Sequence, residues 1–148
     1  MLKLSRLTDY AVASMVRLGV AGGAETSSGI AAGIGVPEPT VAKVLKSLAA
    51  RGMISSRRGM NGGYRLDRPL QDISIAEVIV AIDGPIALVS CIDGAGTGCE
   101  NQLCPLAGRW EPVNRAIHAA LSGITLADMA ASTVPPFHGV FAKFDEVN

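Results

Sequence analysis

Apolar residues recur at helical spacing along the first fifty residues. One stripe, at steps of three and four, consists of Leu4, Leu7, Ala11, Met15 and Leu18. This stripe predicts an amphipathic first helix over residues 4–20. After the break GGAETSS, Ser28 is expected to cap a short second helix. A third helix is predicted from about Pro39 to about Arg51, where Gly52 stops it, with an apolar face of Val41, Val44, Leu45 and Leu48.

The pattern then changes to short alternating runs. MISSRR and GYRLDRP lie on either side of GMNGG, an arrangement typical of a β-hairpin. Ser74 and Glu77 have the spacing of a capping box and predict a fourth helix that ends before Gly84. Thr125 and Asp128 repeat this spacing ahead of a last short turn.

Between those two caps, apolar residues keep a heptad-like spacing. The positions are Trp110, Val113, Ile117, Ala120 or Leu121, and Ile124. Such a stripe is typical of a helix that pairs with another helix, and Pro112 either kinks this helix or marks its start. The element order predicts a mainly α protein: a winged helix-turn-helix domain with a β-hairpin wing, a cysteine loop and a long dimerisation helix. The predicted divisions are residues 1–70, residues 71–134 and a loosely ordered tail over residues 135–148.

Charge is divided unevenly although the formal net charge is zero. Residues 1–70 carry ten Lys or Arg and four acidic residues, whereas residues 71–148 carry three Lys or Arg and nine acidic residues. The basic half predicts contact with a polyanion, and the alternative is two solvated surfaces of opposite sign. No apolar run approaches the roughly 20 residues of a membrane span. Charged residues also interrupt the N-terminal apolar stretch, which argues against a signal peptide and favours a cytoplasmic protein.

The outer face of the third helix is polar and basic, which suits the major groove of DNA. Its candidate DNA-binding residues are Glu38, Pro39, Thr40 and Lys43, with Lys46 better placed for phosphate. The hairpin adds Arg57, Arg58 and Asn61 around a glycine-rich tip, which suits a narrow minor groove. Charge and element order together favour DNA binding over a helical scaffold with a solvated basic face.

All three cysteines lie in one polar segment with the spacing C-x7-C-x4-C: Cys91, Cys99 and Cys104. Thiolates suit zinc, copper(I) or iron–sulfur clusters, and structural zinc sites usually contain closer cysteine pairs. Three thiolates leave one coordination position open, which favours a labile, sensing cluster. Three ordinary thiols, or a redox pair with a spare, are the alternatives. No Ser/His/Asp or Cys/His grouping indicates an enzyme.

Several segments resemble the Rrf-two (Rrf2) family of winged-helix regulators, to which IscR and NsrR belong. They are LTDYAV, VPEPTVAKVLKSL, RRGMNGGYRL, ISIAEVIVAIDGPIAL and GITLADM. The resemblance covers roughly residues 1–130 and is greatest to regulators of the SUF iron–sulfur assembly operon. It implies a homodimer paired through the long C-terminal helix. Because a dimer reads two half-sites, its partner is expected to be a palindromic operator in double-stranded DNA. No membrane or small-molecule substrate is expected. The resemblance also implies an iron–sulfur cluster on the three cysteines, with [2Fe-2S] favoured over [4Fe-4S].

The resemblance has two local departures. Where IscR reads bases, this chain has Pro39, Ala42 and Lys43, so its operator is expected to differ. Where IscR has a histidine after the third cysteine, this chain has Ala107. NsrR instead supplies an aspartate from the first helix, and Asp9 matches it. Alternatively, Asp9 is a helix-start carboxylate that contributes about 0.3–1 kcal/mol.

The sequence therefore predicts a dimeric, iron–sulfur-responsive regulator of cluster-assembly genes. A nitric-oxide or redox-responsive repressor of the same family is the first alternative. An iron–sulfur carrier or scaffold that does not bind DNA is an alternative of another class. A carrier would need neither a basic wing nor a polar third helix.

Overall fold

The computed structural model describes residues 3–89, 105–106 and 108–131. Over these residues the helices are α1 (Arg6–Ala21), α2 (Ser27–Ile34), α3 (Glu38–Ala50), α4 (Ile75–Asp83), α5 (Glu111–Ser122) and α6 (Leu126–Ala130). A single 3-10 turn spans Leu70–Asp72, and strands β1 (Ile54–Arg57) and β2 (Gly63–Leu66) form an antiparallel hairpin. The predicted mainly α, winged-helix architecture is confirmed. None of these helices is long and apolar enough to cross a bilayer.

One apolar core joins the N-terminal helices to α4 and α6. The predicted face of α3 is buried, as are Ala11, Met15 and Leu18 of α1. Leu126 of α6 is fully buried in the same cluster, so α6 packs onto the body formed by the first helices. The division at residue 70 stays a prediction, and the predicted tail over residues 135–148 lies outside the described residues.

Both predicted capping boxes are present. The Ser74 hydroxyl accepts a hydrogen bond from the Glu77 amide at 3.3 Å, and the Glu77 carboxylate accepts one from the Ser74 amide at 2.9 Å. Thr125 and Asp128 exchange the same pair of bonds at the start of α6. Each box satisfies two amides that the helix itself leaves unpaired, so the starts of α4 and α6 are fixed by local chemistry.

The predicted cap of the second helix was wrong. Thr26, rather than Ser28, caps α2, and its hydroxyl accepts a hydrogen bond from the Gly29 amide at 3.1 Å. The reason is a tertiary contact just before the helix. Glu25 pairs with Tyr64 of β2 through two backbone hydrogen bonds of 2.9 and 2.8 Å. This pairing keeps the chain extended up to Thr26, so the helix begins at Ser27.

The same contact explains a glycine in the hairpin. Gly63 has φ +143°, and a Cβ built there would lie 2.7 Å from the Glu25 carbonyl oxygen. Both observations exclude a side chain, because L residues rarely adopt this φ and backbone atoms cannot move aside cheaply. Gly63 therefore lets the start of β2, beside the hairpin tip, approach the segment between α1 and α2, and this contact attaches the hairpin to the domain.

Replacing Gly63 with Ala is expected to lower the free energy of unfolding by about 1–3 kcal/mol, because it adds backbone strain and a steric clash. Chemical denaturation followed by circular dichroism measures this change. Gly23→Ala is the matched control, since a Cβ at Gly23 meets nothing within 4 Å. Equal stability of the two variants would contradict the close approach.

Candidate nucleic-acid interface

The outer face of α3 is built by the same periodicity that buries its inner face. Pro39, Lys43 and Lys46 are exposed, and Thr40 is half-buried. Because an α-helix turns once every 3.6 residues, these side chains lie away from the buried stripe. The structure therefore brings the predicted α3 residues together on one polar surface.

Glu38 has a partner within the protein. The Ser27 hydroxyl donates a 2.9 Å hydrogen bond to Glu38 Oε1, which links the first turn of α2 to the first turn of α3. The sequence did not indicate this contact, because it depends on the angle between the two helices. Glu38 consequently helps to hold the turn that positions the outer face of α3.

The wing, residues 54–66, follows directly after α3. Arg57 ends β1 opposite Gly63, and Arg58 and Asn61 belong to the tip; all three predicted wing residues are exposed. Within the described part of the chain, neither Arg57 nor Arg58 forms a salt bridge. Both guanidinium groups are thus available to a polyanion.

Two other basic side chains of the first half are engaged in ion pairs. Arg17 meets Glu25 at 2.7 Å, and Arg68 meets Glu77 at 2.7 Å. The hydrogen bond with Glu25 raises the pKa of Arg17, and the same bond lowers the pKa of Glu25. These pairs neutralise part of the basic charge counted along the sequence, so the available positive charge is concentrated on α3 and the wing.

Asp83 ties the end of α4 to the start of α1. Its Oδ2 accepts a 2.8 Å hydrogen bond from the Thr8 hydroxyl and a 3.2 Å bond from the Ser5 amide. Burial alone would raise the pKa of Asp83, but hydrogen bonds from Ser5 and Thr8 lower it below its ordinary value. The predicted ligand Asp9 lies in this same first turn of α1, and its side chain is exposed.

Asn114 ties the segment before the cysteines to α5. Its amide nitrogen donates to the Ile86 carbonyl at 3.0 Å, and its amide oxygen accepts from the Leu88 amide at 3.2 Å. One side chain thus satisfies two backbone groups of a segment without regular structure. Sequence reasoning missed Asn114, because nothing local distinguishes it from any other polar residue on a helix.

The predicted cysteine ligands Cys91, Cys99 and Cys104 lie outside the described residues, as does Ala107. Among the residues that are described, no group of three His, Cys, Asp or Glu side chains converges on a metal position. The donor atoms of the three cysteines do suit an iron–sulfur cluster, because thiols in one short segment are soft ligands for iron.

Much of the surface of α5 is exposed to solvent. Pro112 lies in its first turn and so marks the start of the helix. None of the residues of α5 is buried, and Trp110 and Val113 beside its start are 40% and 43% exposed. Leu121 and Ile124 instead pack against the core. The predicted stripe is therefore divided between intramolecular packing at one end and an exposed apolar surface at the other.

Comparisons with known proteins agree with this architecture. The model of the Rrf2 family, described as an iron-dependent transcriptional regulator, matches residues 4–132. The HTH-type transcriptional regulator Rv1287 of Mycobacterium tuberculosis is 33% identical over 136 residues, 90% of this chain and 84% of the relative. The repressor NsrR of Streptomyces coelicolor is 27% identical over 138 residues, 91% of this chain and 93% of the relative.

Solved structures give the same result. CymR, the global cysteine regulator of B. subtilis, superposes with a TM-score of 0.72 at 26% identity and covers 90% of this chain and 99% of its own. IscR of T. potens gives a TM-score of 0.64 at 29% identity, with coverage of 86% and 85%. Since the family match includes the helices, the wing and α6, the chain belongs to the Rrf2 family of helix-turn-helix transcriptional regulators.

Proposed function

We propose that this regulator is a homodimer that senses iron–sulfur cluster supply and controls SUF-type cluster-assembly genes. The observation that carries the proposal is the exposed basic surface of α3 and the wing, in a chain that also has a three-thiolate segment. The family description, an iron-dependent transcriptional regulator, supports iron as part of the signal.

In this proposal α3 lies in the major groove. Thr40 and Lys43 contact base edges from the first turns of α3, and Lys46 contacts phosphate. Pro39 packs beside them, and Glu38 uses the carboxylate oxygen that Ser27 does not occupy to accept from a base amino group.

The wing reaches the neighbouring minor groove. Arg57 and Arg58 face its negative potential, and the Asn61 amide donates to base acceptors there.

Dimerisation places two such surfaces on one duplex. The exposed apolar residues at the start of α5, including Trp110 and Val113, supply the pairing surface. A two-fold dimer reads two related half-sites, so the operator is expected to be a palindrome.

Cys91, Cys99 and Cys104 hold the cluster in this proposal, with [2Fe-2S] favoured. When bound, the cluster supplies a redox-active centre that oxygen or nitric oxide can damage. The described contacts suggest how its state reaches DNA. Asn114 fixes residues 86–88 to α5, and Asp83 fixes the end of α4 to the start of α1. A change in the cysteine segment would therefore act on both α5 and α1.

Asp9 is the proposed fourth ligand. Replacing Asp9 with Ala is expected to change the visible spectrum of the cluster-bound protein and to speed cluster loss. A carboxylate is a harder donor than a thiolate, and its bond to iron should be the first to break. Absorbance measured during anaerobic dilution, together with DNA affinity of loaded and cluster-free protein, checks this expectation.

Asp72→Ala is the matched control for Asp9, because Asp72 is an exposed carboxylate in the first turn of another helical segment. If Asp9→Ala and Asp72→Ala behave like the parent protein in spectrum, lability and DNA affinity, Asp9 is only a helix-start carboxylate.

The function as a whole is tested by anaerobic purification followed by DNA binding. The protein should be coloured, contain iron and acid-labile sulfide in similar amounts, and bind a cluster-assembly promoter differently with and without the cluster. A nitric-oxide sensor, which the similarity to NsrR supports, would respond to nitric oxide rather than to iron starvation. A carrier would pass its cluster to an acceptor and bind no promoter in either form.

A further inference from the structure

We propose that Met60 is an apolar wedge, which enters the stacked bases from the minor groove and makes the regulator select a flexible base step beneath each wing. The inference rests on the proposed DNA binding and names a residue that determines specificity. It begins from an exposed side chain at the tip of the wing.

Met60 is the most exposed large apolar residue in the described part of the chain, with a relative exposure of 105%. Val20 follows at 75% and Met129 at 55%. Single exposed apolar residues are common on protein surfaces, so exposure alone does not indicate a role. The position of Met60 does indicate a role, because it lies at the apex of a hairpin that also carries the exposed Arg57 and Arg58.

The backbone makes this apex narrow. The Gly62 amide donates a 2.9 Å hydrogen bond to the Gly59 carbonyl, which leaves Met60 and Asn61 as the central residues of a four-residue turn. A Cβ at Gly62 would lie 2.5 Å from the Arg57 carbonyl oxygen, and Gly59 has φ +115°. Only Met60 and Asn61 therefore carry side chains at the apex. Glycines on both sides of these two residues reduce the bulk that a minor groove of about 6 Å would have to admit.

The chemistry of the tip fits a base stack better than a phosphate. Arg57 and Arg58 supply attraction to the groove, and Asn61 can donate to the acceptors of adenine and thymine. Met60 has no charge or strong hydrogen-bonding group to offer, so its favourable partner in DNA is the apolar surface between two base pairs. Minor-groove proteins use such apolar wedges, and the flexible, polarisable methionine side chain adapts to an irregular gap.

A wedge gives specificity without contacting base edges. Opening a gap costs least at pyrimidine–purine steps such as TA and CA, and costs more in a stiff A-tract. Operators should therefore carry a flexible step at the wing position in each half-site. This preference would be separate from the bases that α3 reads.

The test uses the full chain and a promoter fragment on which footprinting has located the wing. One duplex has a TA step at the wing position, and a second has an A-tract at the same position. Each duplex carries the fluorescent base 2-aminopurine next to this position. For the parent protein and Met60→Leu, we expect brighter 2-aminopurine fluorescence, a larger bend by end-to-end energy transfer, and about a tenfold preference for the TA duplex. Met60→Ala and Met60→Gln should lose all three while still binding DNA.

Met129→Ala is the matched control, since it removes an exposed methionine from α6 instead of the wing. It should retain the unstacking, the bend and the preference. If Met60→Ala also retains the unstacking, the bend and the preference, the wedge is overturned while the proposed function stands. A change in transcription alone would then indicate that Met60 contacts a protein partner and would not rescue the wedge. If the parent protein binds no promoter fragment in either the loaded or the cluster-free form, the proposed function fails and the wedge fails with it.

Discussion

Replacing Cys91, Cys99 or Cys104 with Ala is expected to remove most of the visible colour, iron and acid-labile sulfide from anaerobically purified protein. Each change deletes one of the three thiolates that the chain can offer, and a cluster with only two protein thiolates has two weakly held positions. Iron and sulfide analysis beside the visible spectrum measures the loss. The three variants should also bind promoter DNA as the cluster-free parent does.

Gln102→Ala is the matched control, because it alters the same segment and keeps every thiol. It should retain the colour of the parent protein. Zinc without sulfide in the parent preparation would contradict an iron–sulfur site. Full colour in all three cysteine variants would remove these residues from the ligand set.

Replacing Arg58 or Lys46 with Ala is expected to weaken promoter binding strongly. Arg58 lies unpaired at the wing tip within the described part of the protein, and Lys46 is exposed on the outer face of α3. If Lys46 contacts phosphate, Lys46→Ala should weaken all sequences alike and lower the salt slope of binding by about one. Fluorescence anisotropy at several salt concentrations measures both quantities.

Unlike Lys46→Ala, the variants Thr40→Ala and Lys43→Ala should weaken binding of some sequences more than others. The reason is that a base contact discriminates between sequences by about 1–3 kcal/mol. These variants should change the ranking of operator sequences more than the overall affinity. Arg115→Ala is the control, since Arg115 is an exposed basic residue of α5 that lies 3.6 Å from Glu111 of the same helix. If all four interface variants bind like Arg115→Ala, α3 and the wing do not contact DNA.

The sequence was most informative where structure depends on neighbours within one helical turn. The buried stripe of α3 and the capping boxes that begin α4 and α6 could all be predicted. Their causes are local: a 3.6-residue period and side chains that reach an amide three residues away. The same reasoning placed the α3 residues on one exposed face, although their roles on DNA stay predictions.

Pairings between distant segments could not be predicted. The sequence gives no sign that Glu25 pairs with Tyr64, so it predicts Ser28 as the helix cap in place of Thr26. Nor does it show that Asn114 holds Ile86 and Leu88, whose positions are 28 and 26 residues away. Each of these contacts depends on how complete helices pack.

By itself, then, the sequence determined the order of elements, the helix faces, the wing and the family resemblance. Only the tertiary structure decided that α6 joins the core against α1 and the 3-10 turn, that Asp83 bonds the start of α1, and that Ser27 holds Glu38. The physical reason is the range of the forces. Periodicity and capping act over a few residues, whereas these contacts form only after apolar burial has brought remote segments together.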